Sequence, residues 1–137
     1  RGCYMGCKFC SIRHMYGRSF RKFEISRVIK DIKNARECGF KSLFFTDDNI
    51  TLDMKRFEEL LDQIISSGYN DMIYIIQASS LGLATSEEVI RKMSVAGFKF
   101  VFLGIENFSK KKPNSCDTAG KTRCFFIFCL LFILHRF

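Results

Sequence analysis

Three thiols stand within the first ten residues of the chain: Cys3, Cys7 and Cys10, in the run Arg-Gly-Cys-Tyr-Met-Gly-Cys-Lys-Phe-Cys. Cysteines this close in sequence can converge on one centre at little entropic cost, and metal binding is the usual reason for grouping them. Their spacing is C-x3-C-x2-C, with no fourth cysteine nearby. A closed structural zinc site takes four protein ligands, and an electron-transfer iron-sulfur cluster also takes four. Three thiols therefore leave one coordination position open for a substrate or cofactor. A second reading stands beside this one. His14 follows Cys10 with three residues between them, so Cys3, Cys7, Cys10 and His14 could close a tetrahedral zinc site in a non-catalytic binding or interaction module.

What lies downstream must position this loop. Ser26 is placed to cap a helix whose apolar residues Val28, Ile29, Ile32 and Ala35 share one face, with Gly39 as its stop and Cys38 on the core side of its last turn. Lys41 to Thr46 has strand length and composition. Asp53 is placed to cap a second helix carrying Phe57, Leu60, Leu61 and Ile64, closed by Gly68, and a buried strand follows over Met72 to Ile76. Thr85 and Glu88 form a capping box for a third helix with Val89, Ile90, Met93 and Ala96 inward. Gly97 ends that helix, and a strand follows over Lys99 to Leu103.

The three glycine stops recur every 29 residues, and an aromatic follows each: Phe40, Tyr69 and Phe98. This is an internal repeat of helix, stop, aromatic and two-sided apolar strand, the pattern of parallel strands covered by right-handed crossover helices. The fold class is α/β, and the pattern alone does not separate a barrel from an open doubly wound sheet. Nine residues past each glycine stand Asp48, Gln77 and Glu106, one polar residue expected at the C-terminal end of each strand, where parallel α/β folds build their sites.

The Arg-Gly-Cys-x3-Cys-x-Phe-Cys-Ser run resembles the cluster loop of radical S-adenosylmethionine (SAM) enzymes, in particular the cobalamin-binding branch. The resemblance implies that Cys3, Cys7 and Cys10 bind three irons of a 4Fe-4S cluster while SAM chelates the fourth, and that Phe9 lies beside the adenine. Asp47-Asp48-Asn49 stands where many members carry a Gly-Gly-Glu segment that receives the SAM amino group, which leaves open which of Asp47 and Asp48 makes the contact. Gly104-Ile105-Glu106-Asn107 resembles the segment near the SAM ribose, and Gln77 falls at a pocket-lining position. The family's fold is a partial (β/α) barrel, here truncated at both ends, with the first strand just before residue 1 and any cobalamin domain upstream of it. The resemblance covers residues 1 to about 109. It further implies a small-molecule substrate and an electron donor such as flavodoxin or ferredoxin.

The chain has 137 residues, 47% of them hydrophobic and 26% charged, which places it among globular domains long enough to bury a core. The net charge of +8 is uneven: residues 1–22 hold six bases and no acid, residues 23–109 ten bases against thirteen acids, and residues 110–137 six bases against one acid. The body is mildly acidic, so nucleic acid is not indicated as a partner. Seven cysteines, three of them in a metal-type group, fit a reducing compartment and a cytoplasmic location better than a disulfide framework. Because the motif begins at once, no targeting segment can be judged.

From Lys110 the repeat is lost. Phe126 stands where the next glycine is due, inside the apolar run Phe125 to Leu134, which is too short to span a bilayer. Ala119-Gly120-Lys121-Thr122 lacks the first glycine of a phosphate-binding loop, since Ser115 stands there. Residues 110–137 read as an atypical basic then apolar tail, frame-shifted or truncated.

Overall fold

A computed structural model describes residues 1–8, 10–105 and 127–132. Its elements in chain order are α1 (Ser11–Tyr16), α2 (Ile25–Glu37), β1 (Ser42–Phe44), a 3-10 turn (Ile50–Leu52), α3 (Met54–Ser66), β2 (Ile73–Ser79), α4 (Ser80–Ala84), α5 (Glu87–Val95), β3 (Phe98–Ile105) and β4 (Ile127–Phe132).

The repeat is real at the level of the backbone. Gly39, Gly68 and Gly97 have φ of +87°, +69° and +93°, the left-handed geometry that ends a helix. At the first two, the amide of the following aromatic reaches back to the helix: Phe40 N–H donates to Ala35 O and Tyr69 N–H to Ile64 O, both at 3.1 Å. Gly97 has an additional reason to be glycine, because a Cβ there would run into the carbonyl oxygen of Met72 as the chain passes β2.

β1, β2 and β3 lie side by side in sequence order and run parallel, as the repeat predicts. β4 pairs antiparallel to β3, with Ile105 opposite Ile127 and Phe100 opposite Phe132. The described strands form an open four-stranded sheet rather than a barrel, so of the expected fold it is the α/β class with parallel strands that is seen.

The core lies on one face. Tyr74 and Ile76 of β2 and Phe98 and Val101 of β3 are fully buried against Leu61 and Ile64 of α3, Met93 of α5 and Ala96 at that helix's C-cap. Ile32 of α2 joins the same cluster. Phe98 is the hub, with ring centroids 5.0 Å from Tyr74 and 5.8 Å from both Phe45 and Phe57. The Tyr74 hydroxyl donates to Tyr69 O at 2.8 Å, and burial pushes its pKa upward, so it stays a neutral donor. Among the described residues no helix covers the other face. Phe44 is 48% and Ile73 38% exposed there, and Phe44 meets Phe102 edge-on at 6.1 Å.

Ion pairs tie the helices to this frame. Arg36 at the end of α2 grips Asp71 before β2 with bonds of 3.0 and 2.7 Å, and Lys92 of α5 reaches both Glu58 and Asp62 of α3.

Several local expectations need correction. Glu24 rather than Ser26 stands at the N-cap of α2, and it makes no side-chain cap bond. Ser86 rather than Thr85 caps α5, accepting from Val89 N–H, while the Thr85 hydroxyl turns back to Gly82 O. Cys38 is exposed rather than buried, because it sits at the C-cap where the chain leaves the core, and Ile90 is 39% exposed. Asp53 caps α3 as predicted, accepting from Arg56 N–H at 3.0 Å.

Candidate active site

The cysteine loop is closed at its neck. Two hydrogen bonds join residues 1 and 21: the terminal ammonium of Arg1 donates to Arg21 O at 2.7 Å, and Arg21 N–H donates to Arg1 O at 2.9 Å. Gly2 lies buried just inside this neck with φ of +88°, and a Cβ on it would run into the carbonyl oxygen of Ser19. Only glycine lets the two limbs approach so closely.

The closed loop docks on the segment that follows β1. Gly2 N–H donates to Asp48 Oδ2 at 2.9 Å, the Arg1 nitrogen lies 3.3 Å from Asp47 Oδ1, and the Tyr4 hydroxyl donates to Leu52 O at 3.0 Å. Tyr4 also meets Phe20 edge-on, so both limbs share a small aromatic contact. The loop and the first strand tip are therefore at the same end of the sheet, as the α/β site rule requires.

Cys3, Cys7 and Cys10 are all half-buried in this loop, and Cys10 N–H donates to Cys7 O at 3.3 Å in a tight turn. Cys10 is the N-cap of α1, which carries an exposed His14. Among the described residues no three of His, Cys, Asp and Glu are gathered so that they could hold one metal ion, the three thiols included. Two guanidinium groups flank the middle of the loop: Arg13 Nη1 lies 3.4 Å from Gly6 O, and Arg18 covers Gly6 so closely that a Cβ there would meet its Nη2 at 2.7 Å.

The predicted polar positions are not equivalent in space. Asp48 lies four residues beyond the end of β1, whereas β2 continues two residues past Gln77, which is half-buried on the helix-free face opposite Phe102. At ~3.3 Å per residue, Gln77 sits ~7 Å below the strand tip. Gly104 is inside β3, opposite Ser79. Phe9, Glu106 and Asn107 lie outside the described residues. Asp47 lines a cavity with Val28, Phe45 and Phe57, which puts it on the helix side of the β1 tip.

Asn49 has a role that its neighbours define. Its Oδ1 accepts from Thr51 N–H at 3.1 Å, from the Thr51 hydroxyl at 2.6 Å and from Ser79 N–H at 3.2 Å. Thr51 Oγ1 and Ser79 Oγ are 3.0 Å apart, and Ser79 Oγ in turn accepts from Gly82 N–H. This network sews the tip of β1 to the tip of β2. Thr51, at 5% exposure the one buried polar side chain among the described residues, and Ser79 escaped sequence reasoning because isolated hydroxyl residues carry no periodic signal.

The Radical SAM superfamily profile matches residues 1–124. Over 106 residues the chain is 29% identical to the hopanoid C-3 methylase of Methylococcus capsulatus, covering 77% of this chain and 20% of the relative. It is 33% identical over 122 residues to an uncharacterised methyltransferase of Pyrococcus horikoshii, covering 88% of this chain and 25% of the relative. It is also 31% identical over 112 residues to the bacteriochlorophyllide d C-12(1)-methyltransferase of Chlorobaculum tepidum, covering 80% and 24%. The chain thus spans a fifth to a quarter of the length of these relatives. On its profile match and on a three-cysteine loop docked at the tips of parallel strands, the chain belongs to the radical SAM superfamily.

Proposed function

We propose that this chain is the cluster-bearing part of the core of a radical SAM enzyme, a partial (β/α) barrel, with Cys3, Cys7 and Cys10 as ligands to a 4Fe-4S cluster. The observation that carries the proposal is the Gly2–Asp48 hydrogen bond of 2.9 Å, which seats the thiol loop against carboxylates at the strand tips. The donor set fits a cluster better than a single ion. A cluster takes each thiolate on a different iron, so three cysteines leave the fourth iron open for SAM, whereas a closed zinc site needs a fourth protein ligand. When bound, the cluster and SAM supply a 5′-deoxyadenosyl radical or, with cobalamin held by a domain upstream of this segment, support methyl transfer.

The protein's own contribution is placement. The three thiols leave one iron for SAM, and the acidic pair Asp47 and Asp48 offers negative charge to its amino group. Asn49 holds the strand tips at the spacing this needs, Gln77 presents an amide from the helix-free face, and Phe9, Gly104 and Glu106 complete the pocket. Arg13 and Arg18 offset the negative charge of the loaded loop. That relatives are named methylase and methyltransferase favours methyl transfer to a small-molecule substrate, with an electron donor such as flavodoxin or ferredoxin. No helix among the described residues is long and apolar enough to cross a membrane, and the grouped thiols favour the reducing cytoplasm. Residues 110–137 are read as an atypical basic then apolar tail, of which Ile127–Phe132 joins the sheet beside β3.

Anaerobic reconstitution with iron and sulfide tests the reading. The expected result is a brown protein with about four irons per chain whose visible spectrum changes when SAM is added. A colourless protein holding one zinc, and losing it on His14→Ala, would establish the rival zinc module instead.

A further inference from the structure

The neck of the cysteine loop meets the tip of β1 at two carboxylates, Asp47 beside the Arg1 nitrogen and Asp48 beside Gly2. Gly2 immediately precedes Cys3, is buried, and donates its backbone N–H to Asp48 Oδ2 at 2.9 Å. Its other side is closed by the Ser19 carbonyl, which leaves no room for a Cβ. Outside Gly2, residues 1 and 21 pair through two hydrogen bonds. Asp48 is thus the side chain through which the sheet fixes the position of Gly2, and with it the starting direction of the chain at Cys3.

We infer that Asp48 is a positioning residue for the cluster loop: one carboxylate oxygen holds the loop's neck on the β1 tip, which leaves only the other for SAM. A hydrogen bond to a charged acceptor that is partly shielded from water is among the stronger ones, and its loss loosens a loop that the Arg1–Arg21 pair, the Arg1–Asp47 contact and Tyr4 also help to hold. The inference rests on the proposed cluster site for its functional meaning. The hydrogen bond itself is testable without any cluster.

The experiment compares Asp48→Ala and Asp48→Asn with the unaltered full chain, reading amide exchange at Gly2 and Arg21 by NMR on the metal-free protein, then iron and sulfide per chain after reconstitution. Asp48→Ala is expected to speed exchange at both amides by about tenfold to a hundredfold while core amides such as Val101 stay protected, and to cut cluster incorporation. Asp48→Asn keeps an acceptor oxygen and is expected to restore slow exchange and cluster content, while binding SAM more weakly for want of charge. Gly2→Ala, which closes the same space from the other side with Asp48 intact, is expected to reproduce the Asp48→Ala loop behaviour and serves if Asp48→Ala does not fold. Unchanged Gly2 exchange in Asp48→Ala, or in Gly2→Ala where only that variant folds, would overturn the inference. So would full cluster content with only SAM binding lost, which would make Asp48 a SAM contact alone. If the unaltered chain takes up no cluster, the proposed function fails, yet the exchange data still decide the positioning role.

Discussion

Asn49→Ala separates a structural role from a ligand-binding one at the site's edge. Removing the amide takes away the acceptor of three hydrogen bonds, from Thr51 N–H, the Thr51 hydroxyl and Ser79 N–H. Two of the donors keep an alternative: Ser79 N–H still has Thr51 Oγ1 at 3.2 Å, and the Thr51 hydroxyl can turn to Ser79 Oγ at 3.0 Å. Thr51 N–H is left without this partner, on a residue only 5% exposed. With one orphaned buried donor at about 1–3 kcal/mol and two weakened bonds at a fraction of ~1 kcal/mol each, the expected loss is about 2–3 kcal/mol. Urea denaturation followed by circular dichroism should show it as a fall in midpoint of about 1–2 M at unchanged slope. Asn49→Asp keeps an acceptor in the same place and is expected to lose less than ~1 kcal/mol. An alanine variant within ~0.5 kcal/mol of the parent would refute the argument, above all if SAM binding alone were impaired.

Further outcomes follow from other features. Gly97→Ala should destabilise the chain more than Gly39→Ala in thermal melts: both impose a left-handed conformation costing ~1–2 kcal/mol, but only at Gly97 does the Cβ meet a neighbouring carbonyl, while nothing lies within 4 Å at Gly39. Equal losses would refute the close-approach argument. Cys3→Ser, Cys7→Ser and Cys10→Ser should each lower iron content after reconstitution, whereas His14→Ala, on an exposed position of α1, should not. The Lys22 ammonium and, after it, the Arg56 N–H hold the Asp53 carboxyl below its usual 3.8. Its folded-state pKa is depressed, so the stability it contributes is present above pH ~4 and is lost as pH falls through the folded value. Acid titration of Asp53→Asn should therefore show a shallower loss of stability below pH ~4 than the parent.

Much of this arrangement was legible in the chain because its strongest signals are local. A glycine stop every 29 residues needs only backbone sterics, and all three positions adopt the left-handed geometry. The parallel order of β1, β2 and β3 follows from two-sided apolar strands joined by amphipathic helices. Cap identity was less secure, since Glu24 lies two residues from Ser26 and Thr85 is next to Ser86, and the packing of each helix start decides between the two. The repeat also misled where register mattered. Ser42 pairs with Ile73, an offset of 31 (73 − 42), whereas Ile75 pairs with Phe100, an offset of 25 (100 − 75), so positions equivalent by a 29-residue repeat are staggered across the sheet. Gln77 consequently lies below the tip that Asp48 overhangs. β4 carried no sign of its antiparallel pairing, because a continuous apolar run does not specify direction.

The ring of about 20 residues fastened between Arg1 and Arg21 bears on how the thiols meet iron. In a slack chain, bringing such ends together costs ~2.7 kcal/mol in lost freedom, a cost that an incoming metal would have to offset itself. Here two main-chain bonds and the strand tip have already drawn the purse-string. If the thiols hold the proposed cluster, this closure gives the loop the character of a macrocyclic chelator rather than of a tether of loose donors. Up to about a hundredfold in retention is available from that closure alone, and a protein stripped by oxygen should refill from dilute iron and sulfide without first refolding.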